Sequence, residues 1–185
     1  MNEVSAVKGK DNIRLVSHLL AKHGSIDYQD IWELGINTAL RISDLLSLTC
    51  EDVADIDTLV LTEQKTKKVR QIGLNSKSLS IIERRLAANP SDTWLFESRG
   101  NRAAKMVKAM DRSTVGRKFK EVGDIIGMDL GTHSMRKTRG YAMWKDSVPI
   151  EVICKVLNHS SPVITLRYIG IEKEDIQKTY DDYVL

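Results

Sequence analysis

Two short stretches rich in β-branched residues, "TLVLT" at 58–62 and "VRQIGL" at 69–74, flank the lysine-rich connection "EQKTKK" and constrain the fold most. A lone hairpin buries too little to stand by itself, so the rest of the chain must cover it. That remainder reads at helical spacing. Ile13, Val16, Leu19 and Leu20 repeat on one face and stop at Gly24, a first helix of about three turns. "DYQDIWELGINTAL" turns Ile31, Leu34 and Ile36 inward with Asp27 as its N-cap, and runs into a helical "RISDLLSL". Thr49 and Asp52 form a capping pair for the next turn. Ser76 opens a helix through Leu79, Ile82 and Leu86 that fails before Pro90.

"TWLF" at 93–96 reads as a short extended piece, and helices are expected at about 102–110 and 114–126. Thr132 is the expected N-cap of "HSMRKTRGYAMWKD", Pro149 starts the next helix, and Ser161 and Pro162 open the last one, which Gly170 stops. The expected class is mainly α (α+β), a helical domain with one small antiparallel sheet.

The 185 residues suffice for one well-buried core. Residues 1–25 are expected to form a lead-in and first helix, 26–171 the main domain, and 172–185 a tail helix with Ile176, Tyr180 and Tyr183 on one stripe. That stripe fits docking on a neighbouring subunit as well as packing on its own core. With 42% hydrophobic and 29% charged residues, the composition excludes disorder and a membrane span. The N-terminus lacks the apolar core of a signal peptide, so a cytoplasmic protein is expected.

Cys50 and Cys154 have no redox or metal spacing, and the four histidines include no helical ligand pair, so a metal site is not expected. His18, His23 and Trp144 read as structural. A net charge of +3 by itself does not imply nucleic acid, but three basic runs at 65–70, 99–108 and 112–120 face an acidic C-terminal end, which raises that possibility.

Several residues could carry chemistry. "THSMR" places His133 and Arg136 on one face of a first helical turn, where backbone N–H groups also favour an anion. Arg41 sits among apolar neighbours with Asp44 three residues on as an available partner. Lys65, Lys68 and Arg70 stud the hairpin and either reach a groove or leaving oxygen, or keep an edge soluble. His159 precedes the last helix and Tyr168 lies near its end; one helix separates them by about 10 Å, so a joint role needs the tertiary fold. Taken singly, each of these reads more simply as a surface or packing residue.

Together, Arg41, Lys65, His133, Arg136, His159 and Tyr168 resemble, in this order, the catalytic set of the tyrosine recombinase (phage integrase) family. "TALRISDLLSLTCEDV" resembles the first-arginine box, commonly T-G-L-R-I-S-E-L, with Ala39 for glycine and Asp44 for glutamate. "QKTKKVRQIGL" is similar to the G-K-G-x-K-x-R hairpin, with Thr66 in place of glycine and Lys67 and Lys68 beside the matching Lys65. "GTHSMRKTRGYAM" matches the H-x-x-R box, and "VLNHSSPVITLRYIGI" resembles the box that opens L-G-H-S and ends T-x-x-Y, with Asn158 for glycine. The intervals of 23 residues from Arg136 to His159 and nine more to Tyr168 are family-like.

The resemblance implies that Tyr168 attacks a phosphodiester of double-stranded DNA to form a 3′-phosphotyrosyl link. Arg41, Arg136 and His159 would hold the non-bridging oxygens, Lys65 would be the acid for the leaving oxygen, and His133 the acid/base partner of Tyr168. It further implies that 26–171 are the catalytic domain, that no metal or other cofactor is needed, and that a homo-oligomer, dimer or tetramer, acts on DNA. The competing expectations are a catalytically silent DNA-binding module, a type IB topoisomerase-like enzyme, and a helical interaction domain.

Overall fold

A computed structural model describes residues 4–99, 106–171, 177, 180–182 and 184. The elements run α1 (Lys10–His23), α2 (Ile26–Thr38), α3 (Ile42–Leu46), α4 (Cys50–Val53), β1 (Thr58–Thr62), β2 (Val69–Gly73), α5 (Ser76–Ala88), α6 (Arg112–Ile126), α7 (Ser134–Lys145), α8 (Ile150–Val156) and α9 (Pro162–Ile169). The domain is mainly helical, and β1 and β2 pair antiparallel with Leu59 opposite Ile72 and Leu61 opposite Arg70. Alternation buries Leu59 and Ile72 and leaves Val60 and Val69 exposed. No helix among the described residues is long and apolar enough to cross a membrane.

Local chemistry sets most of the helix ends. Thr49 and Asp52 cap α4 reciprocally, at 2.8 and 3.0 Å. Ser161 caps α9 ahead of Pro162, and Gly170 closes it in the left-handed region. Three caps differ from expectation. Ser25 caps α2 by accepting the Asp27 N–H at 3.2 Å, because the Asp27 carboxylate pairs with Arg85 at 2.8 Å. Asn75, not Ser76, caps α5 by accepting from the Ser78 N–H at 2.9 Å. Thr132 makes no cap for α7; the Ser134 hydroxyl accepts from the Gly131 N–H instead, at 3.2 Å.

The helix expected at 102–110 is not what 106–110 form. The Ser98 N–H donates to the Lys108 carbonyl at 2.9 Å and the Met110 N–H to the Phe96 carbonyl at 2.8 Å, so this stretch is extended beside "TWLF". On its other side the Leu95 N–H donates to the Leu48 carbonyl at 2.9 Å. A buried extended segment needs backbone partners on both sides, and that demand overrides local helical spacing. The rest of the expected helix lies outside the described residues, as do Ile176 and Tyr183 of the expected tail stripe; Tyr180 is exposed.

Two apolar clusters organise the molecule. The larger gathers α1, α2, α3, α5 and α6 around Trp32 and Phe119, whose rings meet edge to face at 5.6 Å. Val16 and Leu20 of α1 are fully buried in it, so the first helix is part of this core. The smaller cluster joins Ala39, Ile153, Leu157 and Ile169, with Tyr168 packed against it. Helix α7 lies between the two, and glycines set how closely it is approached. A Cβ on Gly35 would fall 2.9 Å from Met135 Cε, and one on Gly140 would fall 2.6 Å from Ile169 Cγ2. The second contact seats α9, which carries Tyr168, directly against α7.

Candidate active site

The site forms where the two clusters meet, and each side chain arrives on a short, well-determined piece of backbone. Ala39 leaves α2 in the left-handed region at φ 52°, and Arg41 follows in extended conformation as the residue before α3. This geometry directs Arg41 away from the expected partner Asp44. Asp44 instead accepts from the Gln64 N–H at 2.9 Å, tying α3 to the hairpin turn. Arg41 pairs with Glu63, Nη1 to Oε2 at 2.5 Å.

Glu63 is fully buried and collects three further donors: Arg70 at 3.1 Å, Thr66 at 2.6 Å and Asn158 at 2.5 Å. Burial pushes its carboxyl up, but the contacts with Thr66, Arg41 and Asn158 outweigh that and hold it down at about 2.

Arg136 lies at the centre, 2% exposed. Its Nη1 donates to the Ala39 carbonyl and its Nη2 to the Leu157 carbonyl, joining the α2–α3 junction to the end of α8. Burial lowers its pKa from the ordinary value, and interaction with the Tyr168 hydroxyl offsets part of that shift.

The tertiary fold does bring His159 and Tyr168 together. Asn158 turns the chain at φ 49°, and the His159 ring stands edge-on to Tyr168 with centroids 4.7 Å apart. The Thr165 hydroxyl donates to the Ser161 carbonyl at 3.2 Å, so its oxygen is left to accept from His159 Nδ1 at 3.1 Å. Burial, then the charges of Arg136 and Arg41, lower His159 to about 4. On the other side of the tyrosine, His133 Nδ1 lies 3.1 Å from Tyr168 Oη. Desolvation of its ring, followed by the charges of Arg136, Lys137, Lys65 and Arg41, also lowers the His133 pKa. Neutral imidazole at that distance can accept a phenolic proton.

Lys65 projects from the tight hairpin turn and is exposed. Together with Arg41, Arg112, Thr132, His133 and Arg136 it lines an open cleft of about 380 Å³. Four of the six expected residues therefore line the cleft, while Tyr168 contacts His133 and Arg136 from beside it and His159 packs against Tyr168. Arg112 was legible only as one charge within a basic run. Glu63 preceded the lysine-rich turn without any sign of its partners. Among the described residues no group of three His, Cys, Asp or Glu side chains could hold a metal.

An open cleft that presents three guanidiniums, an ammonium and an imidazole, backed by a phenol, suits a bound phosphate better than a neutral substrate. The comparisons agree. A family model described as the phage integrase family matches residues 7–175. The chain is 35% identical over 181 residues to a probable integrase/recombinase, YoeC, of Bacillus subtilis, covering 97% of each. It is 26% identical over 158 residues to tyrosine recombinase XerC of Pseudomonas fluorescens, covering 83% of this chain and 51% of that protein.

Among solved structures, the XerA recombinase superposes with a TM-score of 0.73 at 18% identity, over 98% of this chain and 65% of that one. XerH bound to a palindromic difH substrate superposes at 0.74 and 13% identity, over 97% and 53%. The chain thus spans nearly all of the Bacillus relative but about half of XerC. With the family model matched along most of its length and the ordered boxes gathered at one cleft, the chain belongs to the phage integrase family of tyrosine recombinases.

Proposed function

We propose that this protein cuts and rejoins double-stranded DNA through a covalent 3′-phosphotyrosyl intermediate on Tyr168. The observation that carries the reading is the placement of Tyr168 Oη 3.1 Å from His133 Nδ1 and beside the Arg136 guanidinium. His133 takes the phenolic proton as the oxygen attacks phosphorus. Arg41 and Arg136 hold the non-bridging oxygens and offset the charge that builds on the five-coordinate phosphorus. His159 adds a hydrogen bond to the same oxygens. Lys65, on the hairpin turn at the cleft, protonates the departing 5′ oxygen.

The bond energy stays in the tyrosyl ester, so a second 5′ hydroxyl reverses the reaction and joins new partners without a nucleotide or other cofactor. Arg112 and the basic face of α6 contact flanking phosphates, a contribution independent of sequence and weakened by salt. Two or four copies act together on a site, each supplying one cleavage. XerH and the Tn1549 transposon integrase, similar in fold, have been seen in complexes with DNA.

The test is a nicked duplex that loses the fragment carrying the 5′ hydroxyl once cleaved. A protein–DNA adduct that disappears in Tyr168→Phe supports the reading. A folded protein that binds the duplex without forming the adduct replaces it with a silent DNA-binding module, and relaxation of supercoiled plasmid without site preference replaces it with topoisomerase-like activity.

A further inference from the structure

Glu63 accepts three hydrogen bonds, from Thr66 and Asn158 on Oε2 and from Arg70 on Oε1, and Oε2 also pairs ionically with Arg41. Those four partners come from separate parts of the site. Arg41 faces the cleft; Thr66 adjoins Lys65; Asn158 adjoins His159; Arg70 reaches on to the Val156 carbonyl at 2.8 Å. The turn is itself closed on Glu63, whose N–H donates to the Lys68 carbonyl at 3.0 Å and whose carbonyl accepts from the Lys67 N–H at 2.9 Å. We propose that Glu63 is a positioning residue for strand cleavage, holding the Arg41 guanidinium and locking the Lys65 turn against the segment that carries His159. The proposal rests on the phosphotyrosyl reading above.

Two features favour this over simple core filling. Thr66 and Asn158 both stand where the resembled boxes carry glycine, and both donate to the same Glu63 oxygen. Asn158 does so from a left-handed conformation that a glycine would adopt with less strain, so its amide, not its backbone, accounts for its presence. The Arg41 side chain remains 15% exposed, so one edge of its fork is held and the other faces the cleft. A guanidinium oriented before substrate arrives loses less freedom on gripping phosphate.

The test compares Glu63→Gln, Thr66→Val and Asn158→Gly in the full chain. It measures DNA affinity, thermal melting and the first-order rate of adduct formation at saturating protein. A second substrate replaces the leaving 5′ oxygen with sulfur, whose thiolate departs without a proton and so makes Lys65 dispensable. Glu63→Gln is expected to slow cleavage about 100-fold with affinity little changed. The two milder variants, folded by their melts, should slow it about tenfold.

The sulfur substrate should recover most of the Thr66→Val loss, because that variant loosens the Lys65 turn. If Glu63→Gln does not fold, the other two variants decide. Wild-type rates in both folded variants overturn the proposal, as does an equal loss on oxygen and sulfur substrates for Thr66→Val. A wild-type chain that forms no Tyr168-dependent adduct refutes the cleavage reading first, before any variant is compared, and this proposal with it.

Discussion

Replacing Gly140 with alanine should disable the site from a distance. The added Cβ would meet Ile169 Cγ2 at 2.6 Å and Leu157 Cδ1 at 2.9 Å, both on buried side chains of the smaller cluster. Ordinary carbon contacts are about 3.5–4.0 Å, so α9 must draw back from α7 by about 1 Å. Tyr168 precedes Ile169 on that helix, and its 3.1 Å contact with His133 then opens past hydrogen-bond reach. A displacement of this size lowers the cleavage rate about 100-fold. Overpacking destabilises by about 1–3 kcal/mol, and the better helix propensity of alanine returns about 1 kcal/mol. The net loss of up to about 2 kcal/mol lowers the melting temperature by up to about 8 °C.

Single-turnover adduct formation beside a thermal melt separates the two effects. Gly116→Ala is the control. Its Cβ would sit 3.7 Å from Thr132 Cγ2, an ordinary contact, so the variant should melt higher and cleave normally. If Gly140→Ala cleaves at the wild-type rate while fully folded, the claim that α7–α9 spacing sets the Tyr168 position is wrong.

Glu63, held at about 2 when folded against an ordinary 4.5, supplies stability that is complete above pH 4.5 and lost as pH falls through 2, about 3 kcal/mol in all. Chemical denaturation across that window should show a shallower slope in Glu63→Gln than in the wild type; identical slopes would refute the assignment. Arg136→Lys cannot reach both the Ala39 and Leu157 carbonyls, so one buried acceptor is orphaned; the melt should report a loss of about 1–3 kcal/mol along with the loss of adduct. Arg112→Ala should weaken DNA binding at low salt and reduce the salt slope by about one, with the target preference unchanged. His159 is neutral at pH 6 in the free protein, and a phosphate beside it raises its pKa. Titration calorimetry near pH 5 in buffers of different ionisation heat should therefore show proton uptake that His159→Gln lacks.

The parts of this fold that could be read from the sequence are those whose causes are local. Thr49 and Asp52 are three residues apart, Ser161 and Pro162 adjacent, and the β-branched runs sit either side of a short turn. The four boxes were legible because each spans only a few residues. What escaped depends on contacts between distant segments. Glu63 meets Asn158 across 95 positions, and no spacing rule links an acid before a lysine turn to an asparagine before a helix. The pairing of Arg41 with Asp44 failed because a three-residue offset aligns side chains only inside a helix, and Arg41 precedes one in extended conformation. The stretch at 106–110 kept its helical look while its backbone was needed to pair Phe96 and Ser98.

The charges of the site are answered unequally, and that inequality bears on the proposed reaction. Arg41 and Arg70 share the buried Glu63 carboxylate. Arg136, more deeply buried, has only backbone carbonyls and the Tyr168 hydroxyl as its described partners; among the described residues no carboxylate pairs with it. The two carbonyl dipoles satisfy part of its N–H set, and among the described residues nothing neutralises its charge in a poorly hydrated place, an unfavourable arrangement that an anion relieves. The two anions the proposed chemistry brings there are the phenolate of Tyr168 and the scissile phosphate. Had a carboxylate answered Arg136 as Glu63 answers Arg41, that charge would already be neutralised and the phenol would gain little by ionising. Among the described residues, the guanidinium without a carboxylate therefore sits beside the phenol that the proposed chemistry ionises, and the one paired with Glu63 is held in place before phosphate arrives.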